Sequence, residues 1–202
     1  PDISAYKKLY IGNNHNFSFP SSLLKFPSTG WDTFLDSLVT IDSIFLKVYA
    51  DDSLLNSDLG LHLYFISDSI FSESNSHIAN LYDLDFSNWN DLGTPNISVR
   101  SDTSDTISFF QESVIAWDLT QQITSLIDTT NYHRTFSISF SNELDSSFIE
   151  LFSREYSAGA LDPKIEIYYR SINSSSTEEA LIDTLTRIVY VSEDISIINN
   201  SN

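Results

Sequence analysis

The sequence contains no cysteine and no methionine, and only five glycines and five prolines among its 202 residues. Without cysteine there is no disulfide, no thiolate nucleophile and no zinc–thiolate site. So few glycines leave little for a glycine-rich phosphate-binding loop, and no such motif occurs. No apolar run approaches the about 18 residues of a membrane-spanning helix, so direct membrane insertion is not expected.

Positive charge is also scarce. Ten Lys and Arg residues stand against 28 Asp and Glu residues, which gives a formal net charge of −18. Such a chain repels phosphate backbones and anionic lipid surfaces, so nucleic acid is not an expected partner. A hydrophobic content of 41% and an aromatic content of 13% are nevertheless enough to fill a core.

Motifs of catalysis are missing as well. The four histidines form no H-E-x-x-H pattern, and the chain has no G-x-S-x-G elbow. With 28 carboxylates, some pair would stand at glycosidase spacing by chance alone. We therefore expect no catalytic residues and no enzyme activity.

What the sequence does contain is a repeated alternation of apolar and polar residues, which predicts half-buried β-strands. About ten short runs of this kind are separated by clusters of Ser, Asp and Asn. They are 6–11, 23–26, 44–49, 61–65, 97–100, 106–110, 114–117, 136–140, 148–152 and 164–169. This arrangement predicts an all-β, antiparallel, jelly-roll-like sandwich.

Two segments favour helix. In 118–127, Asp118 is a potential N-cap before regularly spaced apolar residues. In 177–188, preceding serines and glutamates offer capping boxes, and Leu181, Ile182, Leu185 and Ile188 would share one helical face. The Ser-rich stretch 171–176 reads as a linker. It divides the chain into a module, 1–171, and an extension, 172–202, that forms helix or strand and packs on the module, a next domain or a neighbouring subunit.

Candidate ligand-binding residues are aromatic side chains in loop-like segments, on which sugar rings stack: Trp31, Trp89, Tyr132 and Tyr156. Burial at the rim of the sandwich is the ordinary alternative for each. Candidate calcium ligands are the paired loop acids Asp51, Asp52, Asp83 and Asp85, because calcium takes carboxylate and carbonyl oxygens from such loops. Their ordinary alternative is a solvated loop acid.

Other residues are expected to serve the structure. Arg154 and Glu155 follow a strand, where an Arg can hold a crossing segment by bonding a carboxylate or loop carbonyls. A Gly-containing turn then reverses the chain, and Pro163 opens the next strand. Asp118 and Thr120 are expected to be turn and cap residues, and Trp117 to lie in the core.

The segments Trp117-Asp118-Leu119-Thr120, Phe152-Ser153-Arg154-Glu155 and Pro163–Tyr169 occur in an order that resembles one known family. The chain is similar over about residues 5–170 to the DNRLRE-type β-sandwich modules. These are extracellular prokaryotic domains related to family-96 carbohydrate-binding modules. The resemblance implies a jelly-roll sandwich in a secreted or cell-surface protein, and polysaccharide as the first ligand to consider.

A structural role is the alternative. Family members usually have a strand before the segment that begins near Tyr6, and here little chain precedes it. That strand could come from another copy, so the chain could be a subunit of an extracellular filament, sheath or adhesin assembled by strand or tail exchange. Assembly would then involve the apolar residues of the extension, namely Ile188, Val189, Tyr190, Val191, Ile195 and Ile197.

Overall fold

The structure is a computed structural model. It describes residues 8–14, 17–27, 29–50, 60–66, 89–99, 113–127, 134–140, 148–156, 159–173 and 181–197. These ranges are mainly extended, and within them thirteen β-strands are joined by a few short helical turns.

The strands come in chain order. The first seven are β1 (Lys8–Asn14), β2 (Phe17–Phe19), β3 (Ser21–Phe26), β4 (Val39–Ala50), β5 (Leu61–Ile66), β6 (Asn90–Asp91) and β7 (Asn96–Val99). The remaining six are β8 (Ser113–Asp118), β9 (Arg134–Phe140), β10 (Phe148–Phe152), β11 (Lys164–Asn173), β12 (Leu181–Tyr190) and β13 (Glu193–Ser196). The helical elements are a 3-10 helix at Asp32–Leu35, another at Thr120–Gln122, and α1 at Ile123–Ile127.

Two antiparallel sheets contain these strands. Sheet A has eight strands in the order β12-β11-β4-β10-β1-β2, with β8 on the other edge of β4 and β7 beside β8. Sheet B has five strands in the order β13-β3-β9-β5-β6. The chain passes repeatedly between the sheets, as it does in jelly rolls, and the predicted all-β sandwich is confirmed.

The core lies between the sheets and follows the alternation seen in the sequence. In β4, Ile44, Leu46 and Val48 are fully buried, while Phe45 and Lys47 point to the opposite face. Burying these side chains is the main favourable term in folding, because apolar surface leaves water. Trp117, expected in the core, is 1% exposed.

The predicted helix at 118–127 is confirmed as a 3-10 turn followed by α1. The side chain of Asp118 begins it, since its Oδ1 accepts a hydrogen bond from the backbone N–H of Thr120 at 2.9 Å. Thr120 Oγ1 in turn accepts a hydrogen bond from the buried backbone N–H of Ile44 at 3.1 Å. Asp118 thus bonds the first turn of the helical segment, and Thr120 links that turn to β4.

The helix predicted over 177–188 is wrong for the described part of that range. Residues 181–190 form strand β12, which pairs with β11 over its whole length. Apolar residues at 181, 182, 185 and 188 fit helical spacing, yet Thr184, Thr186, Ile188 and Val189 are β-branched and favour a strand. Hydrogen bonding to the available edge of β11 outweighs the local capping signals.

The turn after β10 does not reverse the chain as expected. Both β10 and β11 pair antiparallel with β4, through Leu151 opposite Ala50 and Lys164 opposite Lys47. The two strands therefore run in the same direction along one edge of β4. The segment between them leaves the sheet and returns to the same edge, and its Leu161 packs on Tyr49 and Phe152 over the outer face of sheet A.

The extension adds a strand to each sheet. Strand β12 lies beside β11 in sheet A, and β13 pairs with β3 in sheet B. The division of the chain at residue 171 stays an interpretation of the sequence. Within the described ranges, none of the helices has the length and apolarity that crossing a membrane requires.

Candidate functional site

A groove crosses the outer face of sheet A, the face turned away from the core. It has a volume of about 380 Å³ and is lined by Ser43, Phe45, Lys47, Asn96, Ala116 and Tyr168. Four neighbouring strands supply these residues: β7, β8, β4 and β11. The small side chain of Ala116, opposite both Lys47 and Asn96 in the ladder, leaves the space between larger neighbours.

Two aromatic rings stand on one side of this groove. The Phe45 and Tyr168 ring centroids are 6.2 Å apart, with an interplanar angle of 73°. Edge-to-face contact of this kind holds both rings in place. Each ring is partly exposed, so the groove presents rigid apolar surface next to polar groups.

Lys47 and Glu166 form an ion pair at the edge of the groove. Their Nζ and Oε2 atoms are 2.6 Å apart, and the Tyr168 hydroxyl donates a hydrogen bond to the same Oε2 at 2.8 Å. Lys164 Nζ lies 3.6 Å from the other carboxylate oxygen. Glu166 is only 9% exposed, so its charge depends on these partners.

The pKa values of this network follow from its contacts. Burial alone would raise the pKa of Glu166, but hydrogen bonds from Lys47 and Tyr168 and the charges of Lys47 and Lys164 lower it below its ordinary value. The hydrogen bond to Glu166, followed by burial, raises the pKa of Tyr168. At neutral pH Glu166 is therefore ionised and the Tyr168 hydroxyl is protonated, and the hydrogen bond between them fixes both side chains beside the groove.

A second aromatic group lies on the same outer face, over β1, β2 and β10. Tyr156 stacks on Phe152 with centroids 4.0 Å apart, and Lys8 Nζ lies 4.5 Å from the Phe152 centroid. Beside them Tyr10 and Phe148 stack at 5.8 Å. We call these residues the aromatic cluster; Tyr156 is its most exposed ring at 38%.

The candidate ligand residues from the sequence do not form one site. Trp31 is fully buried, donates a hydrogen bond to the Pro27 carbonyl and packs against the Arg134 guanidinium. Trp89 is 9% exposed. Of the three that the structure describes, Tyr156 alone presents an exposed ring, and Tyr132 lies outside the described residues.

The candidate calcium ligands Asp51, Asp52, Asp83 and Asp85 all lie outside the described residues, so calcium binding there stays a prediction. Within the described ranges, no group of three or more acids or histidines is placed to hold a metal ion.

Arg154 contacts both the extension and Glu155. Arg154 Nε lies 2.6 Å from Glu155 Oε1, and Arg154 Nη1 donates to the carbonyl oxygen of Ser192. Pro163 is buried, and its carbonyl accepts a hydrogen bond from the backbone N–H of Val191 at 3.0 Å. Arg154 and Pro163 thus each form one hydrogen bond to the turn between β12 and β13.

The six apolar residues considered for assembly divide into two groups. Ile188 and Tyr190 are 42% and 44% exposed. Val189, Val191, Ile195 and Ile197 are buried within this chain.

Sequence reasoning did not select the groove residues Phe45, Lys47 and Tyr168, although it placed them on strands. The signal that could have found them is an aromatic residue on the polar face of an alternating strand, at Phe45 and again at Tyr168.

No family model matches this chain, and a search of curated proteins finds no match either. The resemblance to DNRLRE-type modules therefore stays a prediction from the sequence.

Proposed function

We propose that this protein is a non-catalytic extracellular binding module that holds a neutral polysaccharide in the groove on the outer face of sheet A. The observation that carries the proposal is the placement of Phe45 and Tyr168 beside Lys47 and Asn96 in one open groove.

The chemistry of the lining suits a sugar. The C–H face of a pyranose ring packs on the electron-rich face of an aromatic ring. Hydroxyl groups around such a ring would find hydrogen-bond donors in the Asn96 amide, the Ser43 hydroxyl and the Lys47 ammonium. They would find acceptors in the Asn96 amide oxygen and the Ser43 hydroxyl oxygen. An apolar surface with a few fixed polar groups is typical of small-molecule sites.

Charge favours a neutral glycan over an acidic one. The chain has a net charge of −18, and the one cation among the groove's lining residues is already paired with Glu166. A uronate or sulfated chain would therefore meet repulsion with little local compensation.

An extended ligand fits better than a single sugar. The groove is open on the surface, and the aromatic cluster with exposed Tyr156 lies on the same face of sheet A. A polymer that leaves the groove towards β10 would meet further aromatic surface there.

The test begins with a glycan array probed with the whole chain, with calcium and with chelator. For a glycan that binds, calorimetry would compare wild type with Phe45→Ala and Tyr168→Phe. We expect Phe45→Ala to weaken binding about tenfold, or about 1.4 kcal/mol. Tyr168→Phe keeps the ring and should weaken binding less.

The matched control is Tyr64→Ala, which removes a half-buried aromatic ring from the outer face of sheet B. It should bind as wild type does. The proposal fails if no neutral glycan binds under either condition, or if Phe45→Ala binds as tightly as wild type.

A structural subunit of an extracellular filament, sheath or adhesin is the second candidate, and the exposure of Ile188 and Tyr190 favours it. Tail exchange would replace the β11–β12 pairing within one chain by the same pairing between two chains. Four of the six apolar tail residues are buried in their own chain, so exchange would first have to expose them.

A further inference from the structure

Strand β12 ends the path of paired strands in sheet A. Among the described residues it pairs with β11 alone, through all ten of its residues. Its other side therefore presents a long row of backbone N–H and C=O groups. Such an edge is a template for another strand unless charges, prolines or bulges block it.

Exposed apolar side chains lie on this edge strand itself. Seven large apolar residues of the described chain are exposed, and three of them belong to β12: Leu185, Ile188 and Tyr190. Large apolar side chains left in water on an edge strand favour contact with another chain.

The sequence of β12 is self-complementary about its centre. Residues 181–189 read Leu-Ile-Asp-Thr-Leu-Thr-Arg-Ile-Val. If two copies pair antiparallel with Leu185 opposite itself, Thr184 lies opposite Thr186 and Ile182 lies opposite Ile188. Asp183 of each copy then lies opposite Arg187 of the other, so two pairs of opposite charge form, one on each side of the centre.

Asp183 is exposed. Arg187 is partly exposed, and its guanidinium lies against Gly30, from which it would turn to meet Asp183 of the second copy. Neither forms an ion pair with another residue in the described ranges. Charges of a single sign on an edge strand would oppose its pairing with a second copy. Here Asp183 and Arg187 carry opposite charges and each lies two residues from Leu185, so they favour the register in which Leu185 lies opposite itself.

We propose that two copies of this chain form a dimer by antiparallel pairing of their β12 strands about a two-fold axis at Leu185. Sheet A of one copy then continues into sheet A of the other. This interface is separate from the groove and involves no exchange of strands, because each β12 stays paired with its own β11.

Facing residues in such a ladder point to the same face of the sheet. Leu185 and Arg187 lie on the face of β12 that carries Val189, which is buried towards sheet B. The two Leu185 side chains would therefore extend the cores of the two sandwiches towards each other. Ile188 would lie on the outer face with Ile182 of the second copy opposite it in the ladder.

A cysteine cross-link tests the register, because the natural chain has no cysteine. In Leu185→Cys, the two thiols would lie opposite each other, at a Cα separation of about 4.5–5.5 Å that a disulfide can span. In the matched variant Ile188→Cys, the two thiols would be six residues out of register, or ~20 Å apart. We expect mild oxidation of the full chain to give covalent dimers of the first variant and few of the second.

Charge reversal tests the ion pairs in solution. Sedimentation velocity over a concentration series should show wild type to be dimeric, and Asp183→Arg or Arg187→Asp should raise the dissociation constant at least tenfold. The double variant restores opposite charges in the same register and should recover dimerisation. Glu150→Arg, which makes the same charge change on β10, should dimerise as wild type does.

The proposal is overturned if the full chain stays monomeric up to the highest soluble concentration. It is also overturned if both cysteine variants cross-link equally, or if the double charge variant is no better than the single ones. Tail exchange would place Leu185 beside β11 of the second copy rather than beside its own equivalent, so a dimer without the Leu185→Cys cross-link indicates exchange and contradicts edge pairing.

Discussion

The Asp194 carboxylate accepts a hydrogen bond from the backbone N–H of Arg154 at 2.8 Å. Asp194 belongs to β13 in sheet B and is 2% exposed, whereas Arg154 follows β10 in sheet A. Close by, Ser196 Oγ accepts a hydrogen bond from the Tyr10 N–H at 2.6 Å. Strand β13 therefore connects the two sheets at one edge of the sandwich, through side chains as well as through its pairing with β3.

Removing this carboxylate should destabilise the fold. We expect Asp194→Ala to lower the free energy of unfolding by about 1–3 kcal/mol, because it removes the buried carboxylate that accepts the Arg154 N–H and leaves a cavity in its place. Urea unfolding followed by tryptophan fluorescence measures the change. Asp32→Ala, which removes an exposed acid from a 3-10 helix, is the control and should cost less than about 0.5 kcal/mol. Equal losses in the two variants would contradict the role assigned to Asp194.

The sequence correctly predicted the strands in which the alternation of apolar and polar residues matches the burial of one face in the folded protein. Strands β4, β5 and β9 alternate because one face of each packs on the core, so their positions can be read from the residues alone. Strand β12 could not be read in this way. Its apolar spacing fits a helix, its β-branched residues favour a strand, and pairing with the edge of β11 decides between the two.

The groove could not be predicted for a similar reason. Ser43, Phe45 and Lys47 follow one another along β4, but Asn96, Ala116 and Tyr168 come from three other strands. Which strands are neighbours depends on the topology of the sheet, which the sequence pattern does not give. Loop aromatics such as Trp31 were selected from local composition, and Trp31 instead fills the core.

The hydroxyl group of Thr120 should matter more than its methyl group. Thr120→Val has the same shape but removes the acceptor of the Ile44 N–H, a hydrogen bond of 3.1 Å to fully buried Ile44. We expect a loss of about 1–3 kcal/mol in the free energy of unfolding. Thr120→Ser keeps the hydroxyl group, so its free energy of unfolding should fall by less than about 1 kcal/mol in the same measurement. If the serine variant is the less stable of the two, packing of the methyl group dominates and the expectation is wrong.

The ionised state of Glu166 should make stability depend on pH. Its pKa in the folded protein lies below the ordinary value of 4.5, although burial opposes this, because Lys47 and Tyr168 hydrogen-bond to the charged form. Between the folded and unfolded values, the folded state binds fewer protons at this site. Its contribution to stability is therefore complete above about pH 4.5 and is lost as pH falls through the folded value.

Glu166→Gln measures that contribution, since glutamine does not titrate. At neutral pH the variant should be less stable than wild type, because Lys47 loses its charged partner. The difference in unfolding free energy should shrink once the pH falls below about 4.5, where wild-type Glu166 takes up its proton. Glu150→Gln is the matched control: its 3.6 Å pair with Lys8 is longer and its side chain is 48% exposed, so the variant should differ little from wild type at neutral pH. A Glu166→Gln difference that stays constant from neutral to acid pH would show that the carboxylate contributes through its shape rather than its charge.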